Sequence, residues 1–257
     1  MLGLAVAVGE KSVVVDSSGN AGRAVAAYAA RVGLEAMVFV PASTDPSKVE
    51  AIRAMGARVV EVPGDRSAAA RAAVEALGPD RSEPGTSPWY ASHVFQPAFH
   101  LGIKVLAYEL HEQVGRSLGT VVVPAGNGTL VIGLWLGFRE LVAAGRRSSM
   151  PAIVAVQSER CAPLAGLAPA GTTAAVGIAI SDPPRAGPVR AALMASGGRV
   201  LIAAEADLGP AREHLHEIDV DVEPTAAAAW AAWRRGRGPI DGLRPGPGDV
   251  VLVLSGH

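Results

Sequence analysis

The sequence has little cysteine, almost no net charge and no long hydrophobic segment, and each shortage excludes a class of protein. A single cysteine, Cys161, cannot form a disulfide framework within the chain and fits a reducing compartment such as the cytoplasm. The 23 basic and 24 acidic residues leave a net charge of −1, so no nucleic-acid partner is expected. The apolar run at residues 1–8 is much shorter than the roughly twenty residues needed to span a bilayer, so no membrane partner is expected.

Lysine is also scarce, whereas apolar residues are abundant. Only three of the 23 basic residues are lysines, namely Lys11, Lys48 and Lys104. Hydrophobic residues make up 49% of the chain and charged residues 18%, which is typical of an interior-rich enzyme rather than a disordered protein. A chain of 257 residues is long enough for one large domain or two smaller lobes with a substantial core.

Short β-branched runs alternate along the chain with alanine-rich stretches of helical spacing. Strands are predicted at residues 12–15, 35–40, 58–62, 120–123, 153–156, 199–202 and 250–254. Helices are predicted at residues 21–32, 47–55, 67–76, 98–114, 129–144 and 225–233. The strand runs are almost continuously apolar, as in parallel strands covered on both faces by helices. The alternation predicts an α/β fold, and a change of composition near residue 100 divides it into a smaller lobe at 1–100 and a larger one at 101–257.

The first candidate site is a strand followed by small polar residues. Ser17, Ser18, Gly19 and Asn20 lie between the predicted strand at 12–15 and a helix. The first turn of a helix leaves backbone N–H groups unpaired and its dipole favours an anion, while glycine permits close approach of a ligand. The same residues also make a good helix N-cap, so this segment alone does not establish a binding site.

A second strand ends in a glycine-bearing turn at the start of a helix. Gly126, Asn127, Gly128 and Thr129 form this turn, and its backbone amides can cradle a phosphate, with a further hydroxyl donor from Thr129. Neither turn contains the Gly-x-Gly-x-x-Gly pattern of dinucleotide sites, so a Rossmann site is not supported.

The third candidate is Ser255, which follows the last predicted strand. Open α/β sheets bind ligands at the carboxyl ends of their strands, and the Ser255 hydroxyl there could hydrogen-bond a heterocyclic nitrogen. A polar residue at the point where a strand leaves the core would give the same pattern. The histidines lack metal-ligand spacing, so no metal is expected, and Trp230 and Trp233, at helical spacing, are expected in the core or an interface.

The order of these motifs resembles the fold-type II pyridoxal-phosphate-dependent enzymes (tryptophan synthase beta-like), and among them the threonine synthase branch. The resemblance rests on Ser-Ser-Gly-Asn near the start, the glycine-rich turn in the middle and Leu-Ser-Gly-His at the end. Similar stretches are found at residues 27–34, 48–62, 102–109 and 222–227. The resemblance implies two lobes with mostly parallel, helix-covered sheets, pyridoxal 5′-phosphate as the cofactor and an amino acid as the substrate. A homodimer is implied by the resemblance alone.

The resemblance also implies roles for the first and third motifs. Asn20 would hydrogen-bond the phenolic oxygen of the cofactor ring, and Ser17, Ser18 and Gly19 would hold the carboxylate of the substrate. Ser255 would face the pyridine nitrogen, where a neutral hydroxyl suits β- or γ-elimination and replacement.

The phosphate of the cofactor would lie on the middle turn. The resemblance implies that Gly126, Asn127, Gly128 and Thr129 hold it. Position 130 is leucine, whereas threonine synthases often have a second asparagine there, so the match is incomplete.

The lysine that carries the cofactor in this family has no counterpart in the sequence. In the family it lies in a Phe-Lys-Asp-Arg-Gly-like segment upstream of the Ser-Gly-Asn turn, whereas only sixteen residues precede Ser17. Lys11, Lys48 and Lys104 do not occupy that position, so we predict that this chain contains no catalytic Schiff-base lysine. Either the reading frame begins further upstream and includes the lysine, or the protein is a degenerate member without ordinary catalysis.

Three functions therefore stay open. The first is a lyase or synthase of the threonine synthase type, which acts by β- or γ-elimination or replacement. The second is a serine/threonine ammonia-lyase, although the Ser-Gly-His ending favours the synthase branch. The third is a non-catalytic or vestigial protein that binds pyridoxal phosphate.

Overall fold

The structure is a computed structural model that describes residues 1–78, 85–235 and 248–256. The chain divides into two compact units, Met1–Phe99 and His100–His257. Each unit contains a four-stranded sheet whose paired strands are all parallel. The predicted α/β class, with parallel sheets covered by helices, is confirmed. His257 of the C-terminal motif lies outside the described residues.

The first sheet has the strand order β3-β2-β1-β4. Its central strand β1 contributes three valines that are almost completely buried, because helices cover both of its faces. The strands are β1 (Ser12–Val15), β2 (Glu35–Pro41), β3 (Arg58–Val62) and β4 (Trp89–Tyr90). The helices are α1 (Leu2–Ala7), α2 (Asn20–Arg31), α3 (Pro46–Arg53) and α4 (Arg66–Glu75), and α5 (Pro97–Ile103) begins in this unit and ends in the second.

The second sheet has the order β7-β6-β5-β8, so the last strand in the sequence pairs with the first of this unit. Its strands are β5 (Leu118–Pro124), β6 (Ala152–Ser158), β7 (Arg199–Ala203) and β8 (Asp249–Leu252). Its helices are α6 (Val105–Val114), α7 (Thr129–Ala143), α8 (Ala186–Ala195), α9 (Glu205–Glu217) and α10 (Pro224–Arg235). In the described ranges, no helix is long and apolar enough to cross a membrane.

Alanine allows α10 to pack closely against the second sheet. Ala226, Ala227, Ala228 and Ala229 are all fully buried in the cluster that includes strands β5 and β6. Trp233 on the same helix is also buried, in agreement with the expectation that it lies in the core.

The predicted helix at residues 98–114 is two helices, α5 and α6, with Lys104 between them. The break lies where α7 crosses at very close range. A Cβ added at Gly133 would lie 2.2 Å from Ile103 Cγ2, and one at Gly137 would lie 2.5 Å from the Lys104 carbonyl oxygen. The backbone of α7 therefore packs directly on the break.

Strand β4 and helices α8 and α9 were not predicted from the sequence. Strand β4 has only two residues, which is too short to show an alternating pattern. Helices α8 and α9 contain Pro188 and Pro210, and proline normally indicates a loop or a helix end. Pro188 lies in the first turn of α8, where the missing N–H removes no intrahelical hydrogen bond.

Arg147 is a buried cation that pairs with backbone carbonyl groups. It is 6% exposed, and its guanidinium donates to the carbonyl oxygens of Gly115 at 2.8 Å, Leu118 at 2.7 Å and Ser149 at 3.2 Å. The bonds to Gly115 and Leu118 tie the segment before β5 to the loop that precedes β6.

We expect Arg147→Ala to lower the free energy of unfolding by about 2 kcal/mol, because buried carbonyl groups would lose their donors. Urea denaturation followed by circular dichroism measures this change. Arg146→Ala, at the exposed neighbouring position, is the control and should change the free energy by less than about 0.5 kcal/mol. Equal effects of the two substitutions would contradict the assignment.

Candidate functional site

The first predicted turn lies at the carboxyl end of β1. Ser17, Ser18 and Gly19 precede Asn20, which is the first residue of α2. The amide of Gly19 donates to Ser17 Oγ over 3.3 Å, and Gly19 and Asn20 are exposed. No side-chain hydrogen bond caps the start of α2 among the residues described. The first-turn amides can therefore serve a small anionic group.

Gly22 determines how closely this turn packs on α2. A Cβ at position 22 would lie 2.0 Å from the carbonyl oxygen of Ser17 and 3.3 Å from Val38 Cγ1. Any side chain there would push the turn away from the helix.

Asp16 adds a negative charge beside this turn. The Tyr90 hydroxyl donates to Asp16 Oδ1 over 2.7 Å, from strand β4 to the residue after β1. Burial, followed by the hydrogen bond to Asp16, raises the pKa of Tyr90 well above its usual value. This pair could not be recognised from the sequence, because the two residues are distant in the chain and share no motif.

The second predicted turn joins β5 to α7. Gly126, Asn127 and Gly128 form the turn, and Thr129 is the first residue of the helix. Gly128 has a φ of +75°, in the left-handed region that favours glycine. In the described part of the chain, no side chain caps the start of α7, so its first-turn amides can serve an anion.

Both glycines of this turn pack against neighbours that leave no room for a side chain. A Cβ at Gly126 would lie 2.9 Å from the carbonyl oxygen of Gly177, which belongs to the short 3₁₀ turn Val176–Ile178. A Cβ at Gly128 would lie 2.1 Å from Cγ2 of Val189 on α8. The turn is thus held by contacts from two other segments.

Two side chains support the surroundings of the second turn. Gln157 is completely buried at the end of β6, donates to the carbonyl oxygen of Ala125 over 3.2 Å and accepts from the amide of Leu164 over 2.8 Å. Thr225 in the first turn of α10 accepts from the amide of Gly177 over 3.0 Å. Thr225 therefore holds the 3₁₀ turn that packs on Gly126.

Ser255 lies on the same edge of the second sheet as this turn. Strand β8 pairs in parallel with β5, and the amide of Val253 donates to the carbonyl oxygen of Val122 over 2.9 Å. Ser255 follows as an exposed residue. The amide of Glu223, just before α10, donates to the carbonyl oxygen of Gly256 over 3.2 Å. The segment before α10 thus contacts the residue next to Ser255.

The predicted residues therefore fall into two groups. The second unit brings five of them to the carboxyl edge of its sheet: Gly126, Asn127, Gly128, Thr129 and Ser255. The first unit places the other four at the carboxyl end of β1: Ser17, Ser18, Gly19 and Asn20. The roles given to them by resemblance stay predictions.

Two basic side chains near the second turn were not identified as site residues from the sequence. His100 is 7% exposed. Burial, followed by the charge of Arg185, lowers the pKa of His100, and a hydrogen bond with the backbone of Thr129 opposes this effect. His100 Nδ1 and Arg185 Nη1 are both buried without a hydrogen-bond partner in the ranges that the structure describes. No local pattern could reveal this pair, because its members are far apart in the chain.

The three lysines have other surroundings. Lys11 and Lys48 are exposed. Lys104 Nζ lies 2.8 Å from Glu140 Oε1, and the Tyr108 hydroxyl donates to the same carboxylate. The hydrogen bond from Lys104 lowers the pKa of Glu140, and the same bond raises the pKa of Lys104. Lys104 is therefore part of an ion pair that joins the α5–α6 break to α7.

Cys161 is a buried thiol whose pKa is raised by burial. A thiol of this kind is a poor nucleophile. Among the described residues, no group of three or more His, Cys, Asp or Glu side chains could hold a metal ion.

Known proteins resemble this chain along nearly its whole length. The profile of the family described as "Pyridoxal-phosphate dependent enzyme" matches residues 2–256. A threonine synthase of Methanosarcina acetivorans is 27% identical over 267 residues, which covers 98% of this chain and 64% of the synthase. The chain thus spans a little less than two thirds of the length of that relative. An L-serine dehydratase/L-threonine deaminase of Mus musculus is 34% identical over 134 residues, 52% of this chain and 39% of the mouse protein.

A solved structure of a threonine deaminase from the organism abbreviated T.th. has the same fold. It matches with a TM-score of 0.78 and 26% identity, and the match covers 99% of this chain and 80% of the deaminase. The family profile covers all but the first and last residues of the chain. The chain therefore belongs to the family of pyridoxal-phosphate-dependent enzymes, of fold type II.

Proposed function

We propose that a protein in which this chain is joined to a segment with the Schiff-base lysine acts on an amino acid by β- or γ-elimination or replacement, in the manner of a threonine synthase. The cofactor of the family is pyridoxal 5′-phosphate. The alignment of the Methanosarcina synthase with 98% of the chain favours this activity. The observation that carries the proposal is the geometry of the β5–α7 turn. Its two glycines lie where no side chain would fit, so the turn presents its backbone amides. Ser255 lies at the same edge of the sheet.

The turn fits the phosphate group of the cofactor. Its glycines allow the backbone to approach a ligand, and the fifteen-residue helix α7 directs its unpaired amides and the positive end of its dipole to the same place. In our proposal the backbone of Gly126, Asn127 and Gly128 holds the phosphate, and Thr129 adds amide and hydroxyl donors.

We assign the pyridine nitrogen of the cofactor to Ser255. A serine hydroxyl is neutral and donates a hydrogen bond without transferring a proton, which leaves the nitrogen unprotonated. When bound, the cofactor supplies an electron sink for charge that develops at the α-carbon of the substrate. The contribution of Ser255 is to orient the ring.

We assign the first turn to the substrate carboxylate and to the phenolic oxygen of the ring. Asn20 would donate to the phenolic oxygen of the ring, and Ser17, Ser18 and Gly19 would bind the substrate carboxylate through hydroxyls and the amides of α2. Asp16 is held beside them by Tyr90, so it limits the negative charge that this turn can accept.

A second candidate activity is a serine/threonine ammonia-lyase. The observation in its favour is the mouse L-serine dehydratase/L-threonine deaminase, whose 34% identity over half of the chain exceeds the 27% of the Methanosarcina synthase. That match is confined to 52% of the chain, whereas the synthase matches 98%, so we give the synthase precedence.

The two activities are separated by their products. The protein made from its natural gene, with any coding sequence that precedes Met1, is loaded with pyridoxal phosphate and supplied with O-phosphohomoserine or with serine and threonine. We expect release of inorganic phosphate and formation of threonine from the first substrate, measured by phosphate assay and chromatography. Formation of 2-oxo acids from serine or threonine would favour the ammonia-lyase. A protein that binds the cofactor and turns over none of these compounds would support the non-catalytic alternative.

Gly128→Ala is expected to weaken binding of pyridoxal phosphate by about tenfold or more, because the new Cβ meets Val189 and the turn must move. Fluorescence titration of the purified protein measures the dissociation constant. Gly145→Ala is the matched control, since Gly145 also has a positive φ, of +68°, but has open space around its Cβ position. The control should lose only about 1 kcal/mol of stability and keep its affinity. Equal affinities of both variants and the unaltered protein would refute the assignment of the turn.

A further inference from the structure

Helix α8 positions Arg185 close to the β5–α7 turn. Arg185 directly precedes α8, and its carbonyl oxygen accepts from the amide of Val189 over 2.9 Å, one turn into the helix. Val189 is the residue that packs against Gly128. Because α7 and α8 each connect two parallel strands, both helices begin at the edge of the sheet where β5 and β6 end. Arg185 is therefore one helical turn away from Val189, the residue that packs against the β5–α7 turn.

One buried nitrogen atom of Arg185 and one of His100 lack a hydrogen-bond partner among the described residues. Arg185 Nη1 and His100 Nδ1 are buried, and neither forms a hydrogen bond with the described residues. Within the same ranges, no carboxylate forms an ion pair with Arg185. A guanidinium stays protonated inside proteins, and burial of an unpaired charge is costly. An anion beside these groups would offset that cost.

Arg199 shows that a buried nitrogen without a partner does not by itself indicate an anion site. Its Nε atom is also buried without a partner in the described ranges. Arg199 is the first residue of β7, however, and therefore lies at the amino end of the parallel strands. Arg185 differs because a second buried donor, His100, and the uncapped start of α7 lie beside it.

We propose that Arg185 and His100 are side-chain ligands of a phosphate-type oxyanion, bound at the start of α7 together with the backbone amides of residues 126–129. Arg185 supplies charge and a fork of donors that matches phosphate oxygens. His100 supplies one further donor once the negative charge of the anion favours protonation of Nδ1. The inference rests on the proposed function where the oxyanion is the phosphate of the cofactor. A phosphorylated substrate or free phosphate has the same chemistry, and the test separates these sources.

The test compares three ligands on the full chain: pyridoxal phosphate, pyridoxal without phosphate, and inorganic phosphate. Arg185→Gln should raise the dissociation constants of pyridoxal phosphate and inorganic phosphate by about tenfold or more, because a charge-assisted pair is lost. Its dissociation constant for pyridoxal should change less than about twofold, and His100→Leu should show a smaller change in the same direction. Arg212→Gln is the matched control, since it removes the same charge from a side chain that is 53% exposed on α9. Fluorescence and ³¹P NMR titrations give all of these comparisons.

Thermal unfolding without ligand separates a ligand from a structural residue. A structural Arg185 would stabilise the fold, so Arg185→Gln would lower Tm. A ligand residue whose Nη1 atom is buried without a partner should give an unchanged or higher Tm on substitution, and phosphate should raise the Tm of the unaltered protein more than that of the variant. If Arg185→Gln does not fold, Arg185→Lys keeps the charge without the fork and should show a partial loss of phosphate affinity.

Two results would overturn the inference. One is unchanged affinity of Arg185→Gln for both phosphate ligands, and the other is an equal loss for pyridoxal and pyridoxal phosphate. Arg185-dependent binding of inorganic phosphate by a protein that does not bind pyridoxal phosphate would support the inference and refute the proposed function. The cofactor-loaded Arg185→Gln variant could instead keep its affinity for pyridoxal phosphate and lose its binding of inorganic phosphate. That result would also support the inference and would assign the anion to the substrate.

Discussion

Close backbone packing around the β5–α7 turn is the constraint on which the site of the second unit depends. Gly126 touches the carbonyl group of Gly177, and Gly128 touches the side chain of Val189, at distances that exclude any Cβ. These contacts bring three segments together that are separated in the sequence. Because no side chain can be placed on the two glycines, the amides of the turn stay accessible to a ligand.

The residues that hold this turn in place come from the C-terminal part of the second unit. Thr225 binds the amide of Gly177, and Glu223, two residues earlier, binds the carbonyl group of Gly256 through its own amide. The start of α10 therefore contacts both the wall of the glycine-bearing turn and the residue beside Ser255. A displacement of this segment would move both ends of the proposed cofactor site at once, so their spacing is set by one short piece of chain.

The elements and turns that follow from local patterns could be predicted, and the contacts that complete the site could not. Apolar runs gave the parallel strands, and the glycine-bearing turns lie between strand and helix as expected. Helix α8 was missed because Pro188 indicates a loop unless it is known to lie in a first turn. Arg185, His100 and Asp16 were missed for another reason. Each acquires its role from a neighbour distant in the chain, and periodicity carries no information on such contacts.

Both turns join a parallel strand to the start of a helix, and they are opposite in charge. Each helix start carries a positive partial charge of about half a unit. In the first unit Asp16, fixed by Tyr90, counteracts that charge beside Ser17. In the second unit Arg185 adds a full positive charge near Thr129. A dianionic phosphate is therefore favoured at the second turn and disfavoured at the first. The first turn instead suits the smaller charge of an amino-acid carboxylate. Under our proposal, this difference in charge is why the cofactor phosphate belongs at the second turn.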